Sequence, residues 1–426
     1  MSDDEIEVVI ERILPGGLGL AHAGGRTVMV ALGAPGDRLR VRIDRVKGNV
    51  AFASIVEIIE PSPVRVEPPC PYFGRCGGCD FQQLAYQAQL DAKTEIIKDC
   101  LRRIGQLETI PDFQIIPAPN EWHYRSRAQW QYDSIRMRLG YFESGSNRVC
   151  DVAECAVLAP ELQSQLERVR ELMQQGGLSD DVRHLRAIAG DEEVSIVDDW
   201  GRSPVSEPPA VAGGQLAGSS SNAVDITRTI TGEHYQLNAA SFFQANMDLL
   251  PALIEAAIGD AGGQTAIELY CGVGLFTVPL ARRFERLVGV EGDARASEFA
   301  RKNLADASLA NAEIANADVA NWLEEFSSKA PSSLRSAGAL QTDFLLLDPP
   351  RTGAESRVIA GILRLRPNRI CYVSCDPATL ARDLKKLIAG GYKLDALTAF
   401  DMFPQTHHVE IVVQLLLKQI NQTSAD

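Results

Sequence analysis

Apolar and polar positions follow two different patterns along the chain. The first sixty residues hold short runs in which apolar and polar side chains alternate, separated by turn sequences such as Pro15-Gly16-Gly17; the runs lie at residues 6–10, 27–30, 38–44 and 51–60. Several short strands at this spacing predict a small β-barrel over residues 1–62. Prolines at positions 61, 63, 68 and 69 then predict a stiff linker.

From about Gln236 the pattern becomes that of an α/β domain, over residues 236–420. Apolar runs such as TAIELY, RLVGVEG, TDFLLLD, RICYVSC and VEIVVQLLL alternate with helical segments, which predicts a mostly parallel, doubly wound sheet. Residues 63–235 hold clustered cysteines, a helix near residues 84–104 and an aromatic and basic segment at 122–141. They predict a separate α+β central domain, with a flexible low-complexity loop at about 201–222.

Composition and charge restrict the functional classes only a little. The net charge of −14 argues weakly against a nucleic-acid partner, although residues 26–50 are locally basic and the strand at 40–47 is a candidate for phosphate contacts. No apolar run is long enough to cross a membrane, and the N-terminus does not read as a signal peptide. We therefore expect a cytoplasmic protein with no membrane partner, and the odd number of cysteines argues against a disulfide framework.

A glycine turn after the first strand of the α/β region predicts a ligand site. The apolar run 266–270 leads into a turn that contains Gly272 and Gly274. Glu291 ends the next strand, where an acidic side chain accepts hydrogen bonds from ribose hydroxyls. Thr277 stands where a dinucleotide site would carry its third glycine, so the turn suits an uncharged adenosyl ligand better. An ordinary tight turn between strand and helix is the alternative.

Two further strand ends carry side chains suited to chemistry. Asp348 ends the apolar run 343–347, and the prolines after it stiffen the exit at the ligand crevice. Cys375 ends the next run, and Asp376 and Pro377 predict the N-cap and first residue of a helix. A helix N-terminus favours the thiolate of a neighbouring cysteine, whereas a mid-strand cysteine such as Cys371 fits a small buried apolar residue.

A thiolate at this position suits methylation of uracil at carbon 5. That carbon is a poor nucleophile, but addition of a thiolate at carbon 6 makes the ring an enolate that can take a methyl group at carbon 5. A base must then remove the proton on carbon 5 so that the thiolate can leave. Glu410, which opens the last apolar run, is the candidate base, although a glutamate at a strand start is more often a solvated surface residue.

Three cysteines lie within ten residues, in the order Cys70, Cys76 and Cys79, and the glycines between the last two allow tight wrapping. Cys155 is a candidate fourth ligand. Four thiolates suit either zinc or an iron–sulfur cluster, and the spacing does not separate the two.

These motifs occur in the order seen in the bacterial RNA uracil-5 methyltransferase family, which the chain resembles over nearly its whole length. The resemblance rests on Gln244 and on the segments 268–274, 348–351, 374–377 and 408–410. It implies a class I, Rossmann-like methyltransferase domain in which Cys375 is the nucleophile and Glu410 the base. It also implies that contacts to S-adenosylmethionine come from Gln244, Tyr270, Gly272, Gly274, Glu291, Asp318 and Asp348. Asp376 departs from the family, which usually has asparagine there.

The resemblance extends to the N-terminal half. Residues 1–62 resemble a TRAM domain, an OB-like RNA-binding barrel, and the cysteine spacing is similar to the [4Fe–4S] site of the 23S ribosomal RNA branch. It therefore implies a cluster on the four cysteines and an RNA substrate, with 23S ribosomal RNA favoured and transfer RNA as the alternative. A DNA cytosine-5 methylase would carry proline at Ser374, and a non-catalytic iron–sulfur RNA-binding protein would not need both Cys375 and Glu410. We expect a monomer with no obligate protein partner.

Overall fold

A computed structural model describes residues 5–199, 223–329 and 342–418, so the loop predicted at 201–222 lies outside the described residues. The first sixty residues form β1 Glu5–Val9, β2 Arg12–Ile13, β3 Gly19–Ala23, β4 Arg26–Val30, β5 Arg38–Lys47 and β6 Val50–Glu60. Their order in the sheet is β1-β5-β6-β4-β3-β2. Strand β1 pairs with β5 at one end of this order, and β2, which directly follows β1 in the chain, pairs with β3 at the other end. The sheet therefore closes into the predicted barrel.

The central region contains a second, antiparallel sheet. Its elements are α1 Tyr86–Arg103, β7 Ile115–Ile116, β8 Arg127–Asp133, β9 Arg138–Phe142, β10 Val149–Asp151, α2 Pro160–Gln174, β11 His184–Ala189 and β12 Val194–Val197. Five strands form the sheet in the order β10-β9-β8-β11-β12. The fully buried Trp130 of β8 lies in one apolar core with Leu162 and Leu166 of α2, because both elements turn their apolar face inward.

The remaining described residues form a hairpin, a short 3-10 helix at Met247–Leu249 and the α/β domain. The hairpin and domain consist of β13 Ile226–Ile230, β14 Glu233–Leu237, α3 Leu250–Ile258, β15 Gly263–Leu269, α4 Thr277–Ala281, β16 Phe284–Glu291, α5 Ala294–Asp306, β17 Ala312–Asn316, α6 Val319–Lys329, β18 Phe344–Leu347, α7 Ser356–Leu365, β19 Arg369–Ser374, α8 Pro377–Ala389, β20 Tyr392–Phe400 and β21 Glu410–Leu417.

The large sheet has the order β17-β16-β15-β18-β19-β21-β20-β7. Strands β15 to β19 pair in parallel, and β21 is inserted antiparallel between β19 and β20. The four residues of β18 are all buried, as expected for a parallel strand covered on both faces. This is the predicted doubly wound, Rossmann-like sheet, with the carboxyl ends of β15, β16, β18 and β19 at one edge.

Part of the central region packs directly on the large sheet. Ile96 and Leu101 of α1 share a buried apolar core with Leu384 of α8, and β7 pairs in parallel with the end of β20. Strand β20 also carries a bulge between Leu394 and Ala396. The division of the chain at residues 63 and 236 stays a prediction. Among the described helices, none is both long and apolar enough to cross a membrane.

Candidate active site

Cys375 and Glu410 lie at facing ends of two neighbouring antiparallel strands. Ser374, the last residue of β19, pairs with Ile411 of β21, so the next residue in the chain, Cys375, comes opposite the first residue of β21, Glu410. The Cys375 thiol is partly buried, and Glu410 is only 2% exposed. The strand register therefore brings together the predicted nucleophile and the predicted base.

The surroundings of Cys375 oppose ionisation of its thiol. Burial is the main cause that raises the pKa of Cys375 to about 12, and the nearby carboxylates of Glu410, Asp348 and Asp376 raise it further, while Arg351 lowers it. Asp376 caps α8 and Pro377 is the first helical residue, as predicted. Burial and like charge oppose the bias towards the thiolate that a helix N-terminus provides, so the thiolate form of Cys375 stays a prediction.

The surroundings of Glu410 and Asp348 also raise the pKa of both carboxyl groups. Burial, followed by the charge of Asp348, raises the pKa of Glu410 well above its usual range, and Arg351 opposes this. Burial raises the pKa of Asp348 to about 7. The carboxyl groups of Glu410 and Asp348 and the thiol of Cys375 thus lie at one edge of the sheet, beside the exposed cation Arg351. Clustered groups with shifted pKa values are typical of sites of proton transfer.

The turn after β15 is tied to the end of β16. The backbone N–H of Gly272 donates to Glu291 Oε2 at 2.9 Å, and the N–H of Asp293 donates to Oε1 at 2.7 Å. Gly272 and Gly274 have positive φ, and so does Tyr270 at +63°, a conformation that is unfavourable for a residue with a side chain. Such local strain is typical of functional turns.

Glu268 is a further acidic residue of this crevice, and it was not among the predicted site residues. It is 1% exposed and accepts a hydrogen bond from Thr277 Oγ1 at 2.6 Å. Burial raises the pKa of Glu268 to about 8; the Thr277 bond lowers it, and Asp348 and Glu291 raise it. A glutamate inside the apolar run TAIELY was the available signal. Glu268 thus adds a third carboxyl group to those of Asp348 and Glu291 at neighbouring strand ends.

Asp318 and Gln244 are placed less directly. Asp318 is exposed, and its Oδ1 accepts from the N–H of Asn321 at 2.9 Å at the start of α6. Gln244 is buried beside Ala245, whose carbonyl accepts from both the N–H and the hydroxyl of Ser126. Within the described ranges no hydrogen bond joins Gln244 to Asp348 or Cys375, so its contact with S-adenosylmethionine stays a prediction.

Two histidines precede Glu410, and sequence reasoning assigned them no role. Burial, followed by the charges of His407 and Arg351, lowers the pKa of His408 to about 3, which keeps its imidazole neutral. The His408 ring lies 4.2 Å from that of His407 and 6.2 Å from that of Phe403, measured between centroids. The pair thus forms part of the packed turn that leads into β21.

The four predicted ligand cysteines, Cys70, Cys76, Cys79 and Cys155, line a single cavity, together with Arg125. In the part of the chain that the structure describes, no three His, Cys, Asp or Glu side chains converge closely enough to hold one metal ion.

The chemistry of this cavity fits a thiolate-bound group of net negative charge. Burial raises the pKa of Cys76 to about 11 and that of Cys79 to about 12, so the free thiols stay protonated until a metal displaces their protons. Arg125 Nε is buried and has no hydrogen-bond partner among the described residues. A guanidinium beside four cysteines would offset the charge of bound thiolates.

The basic strand of the barrel is largely neutralised. Arg38 forms ion pairs with Glu7 and Glu60, and Arg40 pairs with Glu57 and Glu7. The expectation that the whole strand contacts phosphates therefore narrows to its far end, where Arg45 stacks on the Phe52 ring at 4.1 Å and Lys47 is exposed.

Comparison with known proteins identifies the family. Residues 222–419 match the tRNA (uracil-5-)-methyltransferase family, and residues 6–64 match the TRAM domain of tRNA (uracil(54)-C(5))-methyltransferase. A protein of Halalkalibacterium halodurans described as an uncharacterized RNA methyltransferase is 30% identical, with 98% of each chain covered. The chain belongs to the RNA uracil-5 methyltransferase family.

Other members agree with this assignment. An RNA methyltransferase of Thermotoga maritima, also described as uncharacterized, is 31% identical over 96% of this chain and 98% of its own. The crystal structure of Pyrococcus abyssi tRNA (uracil-54, C5)-methyltransferase with S-adenosyl-L-homocysteine matches with a TM-score of 0.71, at 26% identity, over 96% of this chain and all of that one. This RNA uracil-5 methyltransferase thus uses S-adenosylmethionine, and its N-terminal barrel is a TRAM domain.

Proposed function

We propose that this enzyme methylates carbon 5 of a uridine in RNA by covalent catalysis, with Cys375 as the nucleophile and Glu410 as the base. The observation that carries the proposal is the register between β19 and β21, which sets Cys375 opposite Glu410. A thiol and a carboxyl group on opposite strands at one crevice can act on the two adjacent ring carbons, 6 and 5, that the reaction involves.

The reaction proceeds through a covalent bond between the Cys375 sulfur and carbon 6 of the uracil ring. The Cys375 thiol loses its proton to water, its sulfur bonds to carbon 6, and the ring electrons make carbon 5 nucleophilic. S-adenosylmethionine supplies the methyl group that carbon 5 accepts, and S-adenosylhomocysteine leaves with the electron pair of the broken methyl–sulfur bond. Ionised Glu410 then takes the proton from carbon 5, the carbon 6–sulfur bond breaks, and its electron pair returns to sulfur. The buried Asp348 and the Arg351 guanidinium influence both groups, so they help to set which of them carries a proton.

The cofactor would lie in the crevice formed by the turn at Gly272 and Gly274 and the ends of β16 and β18. Glu291 holds the turn in place through the Gly272 N–H and retains free lone pairs for ribose hydroxyls. Glu268 and Asp348 add acidic groups that suit a positively charged sulfonium. Gln244, Tyr270 and Asp318 complete the proposed contact set.

For the cysteine cavity we propose a [4Fe–4S] cluster held by Cys70, Cys76, Cys79 and Cys155. The support is the common cavity, the nearby Arg125 and the chemistry of four thiolates. Protein purified without oxygen should be brown, with about four irons and four sulfides per chain. A colourless protein with one zinc per chain would refute the cluster. As a control, Cys150→Ser, a change at a buried cysteine outside the proposed ligand set, should leave the iron and sulfide content unchanged.

The covalent mechanism is tested by two variants. Cys375→Ala should abolish transfer of labelled methyl groups to RNA, whereas Cys371→Ala, a change four residues earlier on the same strand, should keep the rate within about twofold. Glu410→Gln should accumulate a covalent protein–RNA adduct that survives denaturing electrophoresis, and Glu233→Gln in the surface hairpin should not. Full activity of Cys375→Ala, or RNA binding without adduct in Glu410→Gln, would contradict the mechanism.

The target is proposed as 23S ribosomal RNA, because the cysteine set is the feature that resembles the ribosomal branch. A transfer RNA target is the second candidate, favoured by the names of the matching family and of the Pyrococcus abyssi enzyme. Mapping of 5-methyluridine in both RNAs from a strain that lacks this protein separates them. Loss of a site from 23S ribosomal RNA alone supports the first target, and loss from transfer RNA alone supports the second.

A further inference from the structure

Asp80, the residue after Cys79, binds the turn that leads to Glu410. Its Oδ1 accepts a hydrogen bond from the backbone N–H of His407 at 2.8 Å, and its Oδ2 lies 2.5 Å from His407 Nδ1. A carboxylate only accepts, so the imidazole donates through Nδ1 in this arrangement. Asp80 thus binds both the backbone and the ring of His407, three positions before Glu410.

The rest of this turn is anchored to the same segment. The N–H groups of Asp80 and Phe81 both donate to the carbonyl of Gln405, at 3.1 and 3.0 Å. Gln89 exchanges two further hydrogen bonds with Gln405, through its amide N–H and its amide oxygen. Because these bonds do not involve the Asp80 side chain, the turn stays attached when that side chain is removed. Its removal takes away only the two contacts to His407, at the end of the turn nearest Glu410.

The barrel contacts the same pair. Gly17, in the loop between β2 and β3, lies so close that a Cβ atom there would be 2.8 Å from Asp80 Oδ2 and 3.3 Å from the Cβ of His407. Gly17 also has a φ of +79°, which favours glycine. Three parts of the chain, the barrel loop, the cysteine segment and the turn before β21, therefore meet at the Asp80–His407 pair.

We propose that Asp80 is a positioning residue for the catalytic base: through His407 it fixes the turn before Glu410, and the Gly17 loop packs the pair from the other side. The inference rests on the proposed role of Glu410. Glu410 is the first residue of β21 and pairs with Phe400 of β20, so the strand ladder holds its backbone from Glu410 onwards and the turn before it must hold the N-terminal side. A displacement of about 1 Å at a reacting group can slow a reaction roughly 100-fold.

The defect should fall on one step. Asp80→Ala should leave RNA binding and attack by Cys375 intact but slow removal of the carbon 5 proton. We expect kcat to fall about 10- to 100-fold with KM within about twofold, and the covalent adduct to accumulate. Asp80→Asn should recover most of kcat, because its amide oxygen still accepts from the His407 N–H and its NH2 can donate to Nδ1 in the other tautomer.

Because Asp80 follows a proposed cluster ligand, two variants disturb the pair from elsewhere. His407→Ala removes the ring, and Gly17→Ala pushes a methyl group against the pair without removing a polar atom. Both should accumulate adduct. Glu11→Ala is the matched control, since it breaks the exposed His22–Glu11 carboxylate–imidazole contact of the barrel and should change neither kcat nor adduct. Metal content and RNA affinity are measured for each variant.

The outcomes separate this inference from the proposed function. Adduct in Asp80→Ala and His407→Ala, with RNA affinity retained and rescue by Asp80→Asn, supports positioning. Wild-type kcat and no adduct in both, while Glu410→Gln still traps adduct, overturns positioning and leaves the proposed function in place. Loss of RNA affinity without adduct in both also overturns it, because the pair would then be structural. If Glu410→Gln itself traps no adduct, the proposed function fails, and this inference with it.

Discussion

The carboxylate of Asp376 accepts a hydrogen bond from the backbone N–H of Thr379 at 2.7 Å, so the residue after the nucleophile is the N-cap of α8. The same carboxylate raises the pKa of the Cys375 thiol. Asparagine caps helices as well as aspartate does, and it is uncharged. The two effects of Asp376 can therefore be separated by one substitution.

Asp376→Asn should lower the pKa of Cys375 while keeping the cap. Alkylation of Cys375 by iodoacetamide at about pH 8, measured by peptide mass spectrometry, should become faster. The increase should be less than about tenfold, because Asp376 raises the pKa of Cys375 less than burial does. Asp376→Ala is the control that also removes the cap, at a cost of about 1 kcal/mol in the free energy of unfolding. Slower alkylation in Asp376→Asn would contradict the assignment.

Loss of the Arg351 charge should move the pH dependence of the reaction upward. Arg351 lowers the pKa of both Cys375 and Glu410, and both groups act in their deprotonated forms. The rate should therefore rise with pH in the wild type, and the rise should occur at higher pH in Arg351→Gln. Single-turnover rates between about pH 6 and 9 test this. Arg357→Gln, which breaks a surface ion pair on α7, should leave the profile where it is.

Single substitution in the buried ion pair between Lys93 and Asp401 should destabilise the protein far more than substitution of both residues. Both side chains are fully buried, and Lys93 also donates to the carbonyl of Phe403. Lys93→Met leaves an unpaired buried carboxylate and should lower the free energy of unfolding by about 3–5 kcal/mol. Lys93→Met with Asp401→Leu should recover most of this loss.

Urea unfolding measures these differences. The exposed Lys98–Glu95 pair gives the control, since Lys98→Met should change the free energy of unfolding by less than about 1 kcal/mol. A double variant that is as unstable as Lys93→Met would show that the pair is needed for its charges rather than for its packing.

The ion pairs of the barrel predict unequal roles for its basic residues. Lys47→Ala should weaken RNA binding and reduce the slope of log affinity against log salt by about one, because a free lysine releases counterions when it meets a phosphate. Arg38→Ala should change the slope much less, since Glu7 and Glu60 already neutralise Arg38. Equal slopes for the two variants would contradict this division.

Local sequence features could predict Cys375 and Asp348 as reactive residues because each stands at the end of an apolar run. Cys375 before an Asp-Pro helix start and Asp348 before two prolines both lie where the pattern put them. Cys375 comes opposite Glu410 because of the register between β19 and β21, two strands that are connected through β20 in the chain. No local sequence pattern encodes this register. Family resemblance supplied that pairing, and the strand register agrees with it.

Long-range contacts and burial could not be predicted from local sequence patterns. Asp80 and His407 are 327 positions apart, and nothing near either one marks a partner. The helix N-terminus and the neighbouring Asp376 are visible in the sequence, but the burial of the Cys375 thiol and the nearby carboxyl groups of Glu410 and Asp348, which also raise its pKa, come from the tertiary structure. Packing of α1 on the large sheet likewise depends on contacts between distant segments.

The short strand β7 has a consequence for the behaviour of the protein at high concentration. An open sheet edge offers unpaired backbone groups to other chains and is a common start of aggregation. Ile115 and Ile116 cover the end of β20, and further along, the bulge between Leu394 and Ala396 interrupts the regular ladder next to the charged Lys393 and Asp395. The outer strand β20 is thereby a poor template for a foreign strand, which disfavours intermolecular β-pairing at this side of the sheet.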